Sequence, residues 1–225
     1  MSIPANIFNC ISCNREIQDA LYGNEFLPNL FTIIVGFIIL ALIVIAFAFF
    51  SAKKYNKHSA LIPQKDSLNP VPLSTASIVL GLGIGGFIDG ILFHQILQLH
   101  GMVSNQLPLD SYVGKSVNMF WDGIFHSLTL VAVIIGVVLM LNLLRRKNIN
   151  PAPKLFWGGM IAGWGIFNLV EGIIHHQIIK LHNVNEYSLN PDLWNYSFLA
   201  SGVIFIIIGF LLIYNRDHYP RRLDR

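Results

Sequence analysis

Two stretches of the sequence carry residue types that bind metals and move protons, at matching spacing. The first runs D-G-I-L-F-H-Q-I-L-Q-L-H from Asp89 to His100, and the second E-G-I-I-H-H-Q-I-I-K-L-H from Glu171 to His182. Acid, glycine, isoleucine, histidine, glutamine, isoleucine, leucine and histidine recur in register 82 residues apart. Apolar bias alone does not place two histidines and an acid so regularly. Between the stretches lies W-D-G-I-F-H, with Asp122 and His126 one helical turn apart. Neutral imidazole mixed with carboxylate is a ligand set that suits copper, zinc, iron or manganese.

The elements that must position these groups are membrane spans. Of 225 residues, 54% are hydrophobic and 12% charged, about half the usual charged share of a soluble domain. Crossing about 30 Å of hydrocarbon takes about 20 apolar residues, and five runs qualify, at 29–50, 76–98, 117–144, 155–179 and 195–214. An ionisable group inside a span costs about 2.5–3.5 kcal/mol on insertion scales, so each one needs a partner or a function.

Basic residues set the orientation. Lys53, Lys54, Lys57 and Lys65 follow the first span, Arg145, Arg146, Lys147 and Lys154 the third, and Arg216, Arg221, Arg222 and Arg225 the fifth. These segments belong in the cytoplasm under the positive-inside rule. The N-terminal tail, where Arg15 stands against Glu16, Asp19 and Glu25, belongs outside, as do the connections with Asp110, Lys115, Glu186 and Asp192. The expectation is an N-out, C-in protein of a bacterial cytoplasmic membrane, with the lipid bilayer as its surroundings. A net charge of +3 gathered beside the spans forms no nucleic-acid stripe. A cleaved signal peptide is the rival for the first span, but no basic segment precedes it and its apolar core is long.

The chain therefore divides into an external tail (1–28), a first span (29–50), a cytoplasmic linker (51–75), a repeat domain (76–214, as hairpins 76–147 and 155–214) and a basic tail (215–225). Trp121-Asp122 and Gly136 match Trp194-Asn195 and Gly209 at an offset of 73, which joins the third and fifth spans to the repeat. The fold class expected is all-α: a polytopic bundle of about five transmembrane helices, built from a parallel repeat of two helical hairpins plus one N-terminal helix. Its pseudo-twofold axis runs along the membrane normal. Gly81, Gly85, Gly86 and Gly90, with Gly159 and Gly163, let helix backbones approach closely. G-L-G-I-G-G lacks the preceding strand that a nucleotide-binding run requires.

On straight α-helices, Asp89 lies about 7 Å from His94 toward the cytoplasm, Glu171 likewise from His176, and His126 about 6 Å deeper than Asp122. Two layers are expected: an outer one of His94, His175 or His176, and Asp122, and an inner one of Asp89, Glu171 and His126. His100 and His182 stand at the outer interface as an access point. At about 100° per residue, however, His94 lies about 140° from Asp89, so one ideal helix does not aim both at one point. Asp122 with His126, taken alone, reads as helix-to-helix packing. Asn168 and Gln177 are candidates to orient imidazoles, and the four tryptophans read as interface anchors and packing.

These motifs identify a resemblance. G-G-F-I-D-G-I-L-F-H-Q-I-L-Q-L-H at Gly85–His100, W-D-G-I-F-H at Trp121–His126 and G-W-G-I-F-N-L-V-E-G-I-I-H-H at Gly163–His176 resemble the bacterial predicted membrane proteins grouped as domain of unknown function 2243. The resemblance covers about 76–214 and implies a fold and site positions, but no reaction. Where that family usually has two adjacent histidines, this chain has His100-Gly101 and His182-Asn183.

The leading functional expectation is a site for a transition metal ion, copper, zinc or iron. It would serve metal handling or assembly of a respiratory metalloenzyme, with such a membrane protein as partner. A second is a membrane hydrolase or oxidoreductase in which metal activates water or oxygen and Asp122 or Glu171 is ligand or base. A third is a haem with axial His94 and His176, although nearby carboxylates suit an apolar haem poorly. A fourth is a proton or ion pathway. Cys10 and Cys13, as C-I-S-C, form a redox pair, half a metal site or a small disulfide loop.

Overall fold

The computed structural model describes residues 14–61 and 68–214, without the side chains of 58–61. Cys10, Cys13, Lys65, His218 and the C-terminal basic cluster lie outside the described residues. Among those described there are six helices and no strand: α1 (Arg15–Leu21), α2 (Phe26–Leu61), α3 (Val71–Ile88), α4 (Tyr112–Leu143), α5 (Pro153–Glu171) and α6 (Pro191–Tyr214). α3 runs on as a π-helical segment over Asp89–Ile96, and α5 as another over Gly172–Ile178. With these extensions, α2 to α6 are five helices long and apolar enough to cross a membrane, in an all-α polytopic bundle.

The helices outrun the apolar stretches. α2 continues past 50 into the segment expected as linker, and α3 and α4 begin at Val71 and Tyr112, ahead of 76 and 117. Hydropathy marks what lipid requires, whereas a helix extends to its cap. Ser111 Oγ accepts the Gly114 N–H at 2.9 Å at the start of α4, satisfying a donor that the first turn leaves free.

α3 and α5 are the inner pair, with 56% and 61% of their most apolar stretches buried against 17–22% in the other spans. Glycine permits this. A Cβ on Gly81 would overlap the Met160 main chain, and one on Gly163 the Ile78 main chain, so the two backbones touch. The outer helices dock in matching fashion. Gly83 faces Thr129 O and Val133 N of α4, while Gly165 faces Gly202 O and Ile206 N of α6. Gly136 packs on Leu80 and Gly209 on Ala162. These pairs are offset by 82 residues on the inner helices and by 73 on the outer ones.

Both ends of the inner pair are tied. N-P-V-P at 69–72 and N-P-A-P at 150–153 start α3 and α5, with Asn69 Oδ1 accepting the Val71 N–H and Asn150 Oδ1 the Ala152 N–H, each at 3.0 Å. The Asn69 N–H donates to Asn148 O at 2.8 Å, and the Asn150 N–H to Asn69 O at 3.0 Å. At the opposite end, the Leu97 N–H reaches back to Leu92 O and the Ile179 N–H to Ile174 O. Gln98 (φ 49°) and Lys180 (φ 55°) then take the left-handed conformation that side chains disfavour. The chain reverses there and folds His100 and His182 over the helix ends.

Candidate metal centre

The site begins with helix period. A five-residue spacing puts two side chains on different faces of an α-helix, but the i→i+5 bonding of a π-helix stacks them. Asp89 to His94 and Glu171 to His176 both have that spacing, and the π-helical segments run through both. His94 Nε2 accordingly sits 3.2 Å from Asp89 Oδ2. The two layers expected on α-helical geometry therefore merge into one, because the assumed 100° step does not hold in these segments.

His100 and His182 are not at an interface. They are 1% and 0% exposed, carried inward by the reversals at Gln98 and Lys180. His100 donates from Nδ1 to Val184 O at 2.9 Å and His182 from Nδ1 to Met102 O at 3.0 Å, so each imidazole is held by the main chain of the other hairpin. Their rings stack at 4.7 Å and 4°. On one side of this pair His94 approaches His100 at 4.3 Å, and on the other His176 approaches His182 at 4.6 Å. Burial first, and then the neighbouring imidazoles, hold the His100 pKa well below the ordinary imidazole value, so it is a neutral donor.

Tautomers follow from the partners. An ionised carboxylate only accepts, so His94 donates from Nδ1 to Asp122 Oδ1, 2.7 Å away, and the Met102 N–H donates to the same oxygen at 2.9 Å. Nε2 of His94 then faces Asp89 Oδ2 at 3.2 Å and Nε2 of His182 faces Glu171 Oε1 at 3.6 Å, while Nε2 is the lone-pair nitrogen of the neutral His100. Beyond those two ion-pair contacts, no hydrogen bond meets His100 Nε2, Glu171 Oε2 or either ring nitrogen of His176. Each is buried, and an unsatisfied buried polar group costs about 1–3 kcal/mol. Imidazole nitrogens and carboxylate oxygens are ligand atoms for a transition metal ion. Among the described residues, three sets of side chains offer atoms within 4.8 Å of one another: His94, His100 and His182; Glu171, His176 and His182; and Asp89, His94 and Glu171.

Three of the nine expected residues lie outside these sets: Asp122, which holds His94 through Nδ1, and His126 and His175. His126 is half-buried beside Phe87 and faces Gly90 and Gln95, whose Nε2 lies 3.4 Å from its Nδ1. His175 turns toward α2, where Gly36 makes room for it. The stacked His100 and His182 fill the space between His94 and His176, so these two do not clasp a haem as axial ligands.

The sequence reading passed over the groups that fix the site from behind: the main chains of Met102 and Val184, and Asn195, whose Oδ1 accepts the Val184 N–H at 2.9 Å. Asn195 is to Val184 what Asp122 is to Met102, and the offset of 73 already paired them. Glu186 accepts from Ser104 Oγ at 2.8 Å and from the Asn183 N–H at 2.8 Å, tying the two reversed loops together. Asn168 Nδ2 donates to Ser201 Oγ at 3.0 Å rather than to an imidazole.

A family model described as a predicted membrane protein (DUF2243) matches residues 76–216. No curated protein and no solved structure matches the chain.

Proposed function

The chain belongs to the DUF2243 family of predicted membrane proteins, and from that premise we propose that this multi-pass membrane protein binds a transition metal ion in a buried histidine and carboxylate centre. One observation carries the reading. His94, His100 and His182 each spend Nδ1–H on a carboxylate or carbonyl and offer buried ligand atoms within 4.8 Å of one another. That arrangement orients metal-binding imidazoles generally. Copper, zinc and iron fit the donor set, and metal handling or assembly of a respiratory metalloenzyme is the role proposed.

The two hairpins are read as an internal repeat, supported by the paired glycine contacts and paired chain reversals. The basic segments support N-out, C-in insertion in a bacterial cytoplasmic membrane, with the centre toward the outer face.

A second reading, a metal-dependent membrane hydrolase or oxidoreductase, is favoured by a small apolar pocket between α2 and the bundle. Phe37, Leu40, Phe125 and Phe167 line it, and so do Glu171 and His175, which leaves room for about one water molecule beside the carboxylate residue.

The test is elemental content and the visible spectrum of protein purified in detergent. Stoichiometric copper, zinc or iron, lost in His94→Ala and His182→Ala, is expected. Metal-free protein after all three metals are supplied overturns the reading in favour of an ion pathway.

A further inference from the structure

Resting on that metal reading, we infer that the centre holds two metal ions, the first on Asp89, His94 and Glu171 and the second on Glu171, His176 and His182. Width is the first argument. No side chain belongs to all three sets whose atoms lie within 4.8 Å of one another. Donors around one ion with bonds of about 2.0–2.3 Å lie within about 4.6 Å of one another even when opposite. The six residues span more than one coordination sphere.

Number is the second argument. Nitrogens of four imidazoles, one oxygen of Asp89 and two of Glu171 gather, buried, in the cluster, with His94 Nε2 3.2 Å from Asp89 Oδ2 and His182 Nε2 3.6 Å from Glu171 Oε1. A four-coordinate ion, the usual state of zinc, satisfies four residues and strands two. Distribution is the third. The donors flank the stacked His100 and His182 on both sides, at 4.3 Å and 4.6 Å. Glu171 also belongs both to the set with His176 and His182 and to the set with Asp89 and His94, so its two oxygens are placed to bridge. Paired ions about 3.5–4 Å apart, bridged in this way, act as a clamp on a shared oxygen ligand.

The halves differ in one respect. Asp122 holds His94 through Nδ1 at 2.7 Å, whereas His176 has no hydrogen bond on either nitrogen. The first position is therefore the tighter and the second the exchangeable one.

Native mass spectrometry of the full chain in detergent, stripped with chelator and titrated with Zn(II), tests this. Stepwise addition of two ions is expected, with His176→Ala stopping at one while keeping wild-type helical circular dichroism. His176→Gln replaces it if the alanine variant does not fold. Saturation of the unaltered chain at one ion, or two ions in the His176 variant, overturns the two-ion arrangement while the metal centre stands. Binding of no ion at all, with copper and iron tried as well, overturns the metal reading itself.

Discussion

His100 and His182 lie face to face at 4.7 Å, each hydrogen-bonded to the main chain of the hairpin that carries the other. The two hairpins are thus locked together at the point where the donor atoms gather. Binding at the centre and association of the hairpins draw on the same residues.

Asp122→Asn should weaken metal binding without emptying the site. The amide still accepts the Met102 N–H but loses the charge that orients and enriches His94. About a 10–100-fold loss of affinity is expected from removing such a supporting carboxylate. Competition with a chromophoric chelator measures it, and an unchanged affinity would rule out a supporting role for Asp122.

His126→Ala should leave metal content at the wild-type level, while His94→Ala and His182→Ala lower it. His126 faces Gly90 and Gln95 outside the cluster, so it separates a general loss of buried histidine from loss of a ligand. Elemental analysis of the three variants decides.

Gly81→Ala should destabilise the protein by about 1–3 kcal/mol, the cost of forcing a methyl group into a packed interface, because the methyl would meet the Met160 main chain. Gly123→Ala, with nothing within 4 Å, should not destabilise. Thermal melting in one detergent compares them.

Stability should fall as pH drops below about 6.5, the usual imidazole pKa. The folded chain keeps His100 neutral because its pKa is pushed well down by burial, while the unfolded chain takes up the proton. The unfolded state then binds more protons on the acid side and is favoured there. Denaturant midpoints of the metal-stripped protein at pH 7.5 and 5.5 should show the drop, and His100→Asn should shrink it.

Gln98→Gly should be stabilising or neutral, since glycine relieves a left-handed residue that costs about 1–2 kcal/mol. Metal content should not change. A melting temperature lowered by several degrees would show that the side chain at Gln98 matters more than its conformation.

The spans were legible because lipid demands long apolar runs, and the cluster's membership because acid and histidine recur at 82 residues. The site's shape was not. A five-residue spacing reads as two faces on an α-helix, and nothing in D-G-I-L-F-H-Q-I announces the wider π turn that superposes Asp89 on His94. The reversals fall on Gln98 and Lys180 rather than on glycine, so they left no signal, and His100 and His182 were expected at the membrane surface. The same blindness to azimuth admitted His126 and His175, which belong to neighbouring packing.

Asp122 and Asn195 occupy matching positions, one an acid and the other its amide. Two identical hairpins assembled as a dimer would have to carry the acid twice or not at all. Covalent linkage in a single polypeptide removes that constraint, so one half can evolve a stronger electrostatic hold than its sister while both keep the same backbone.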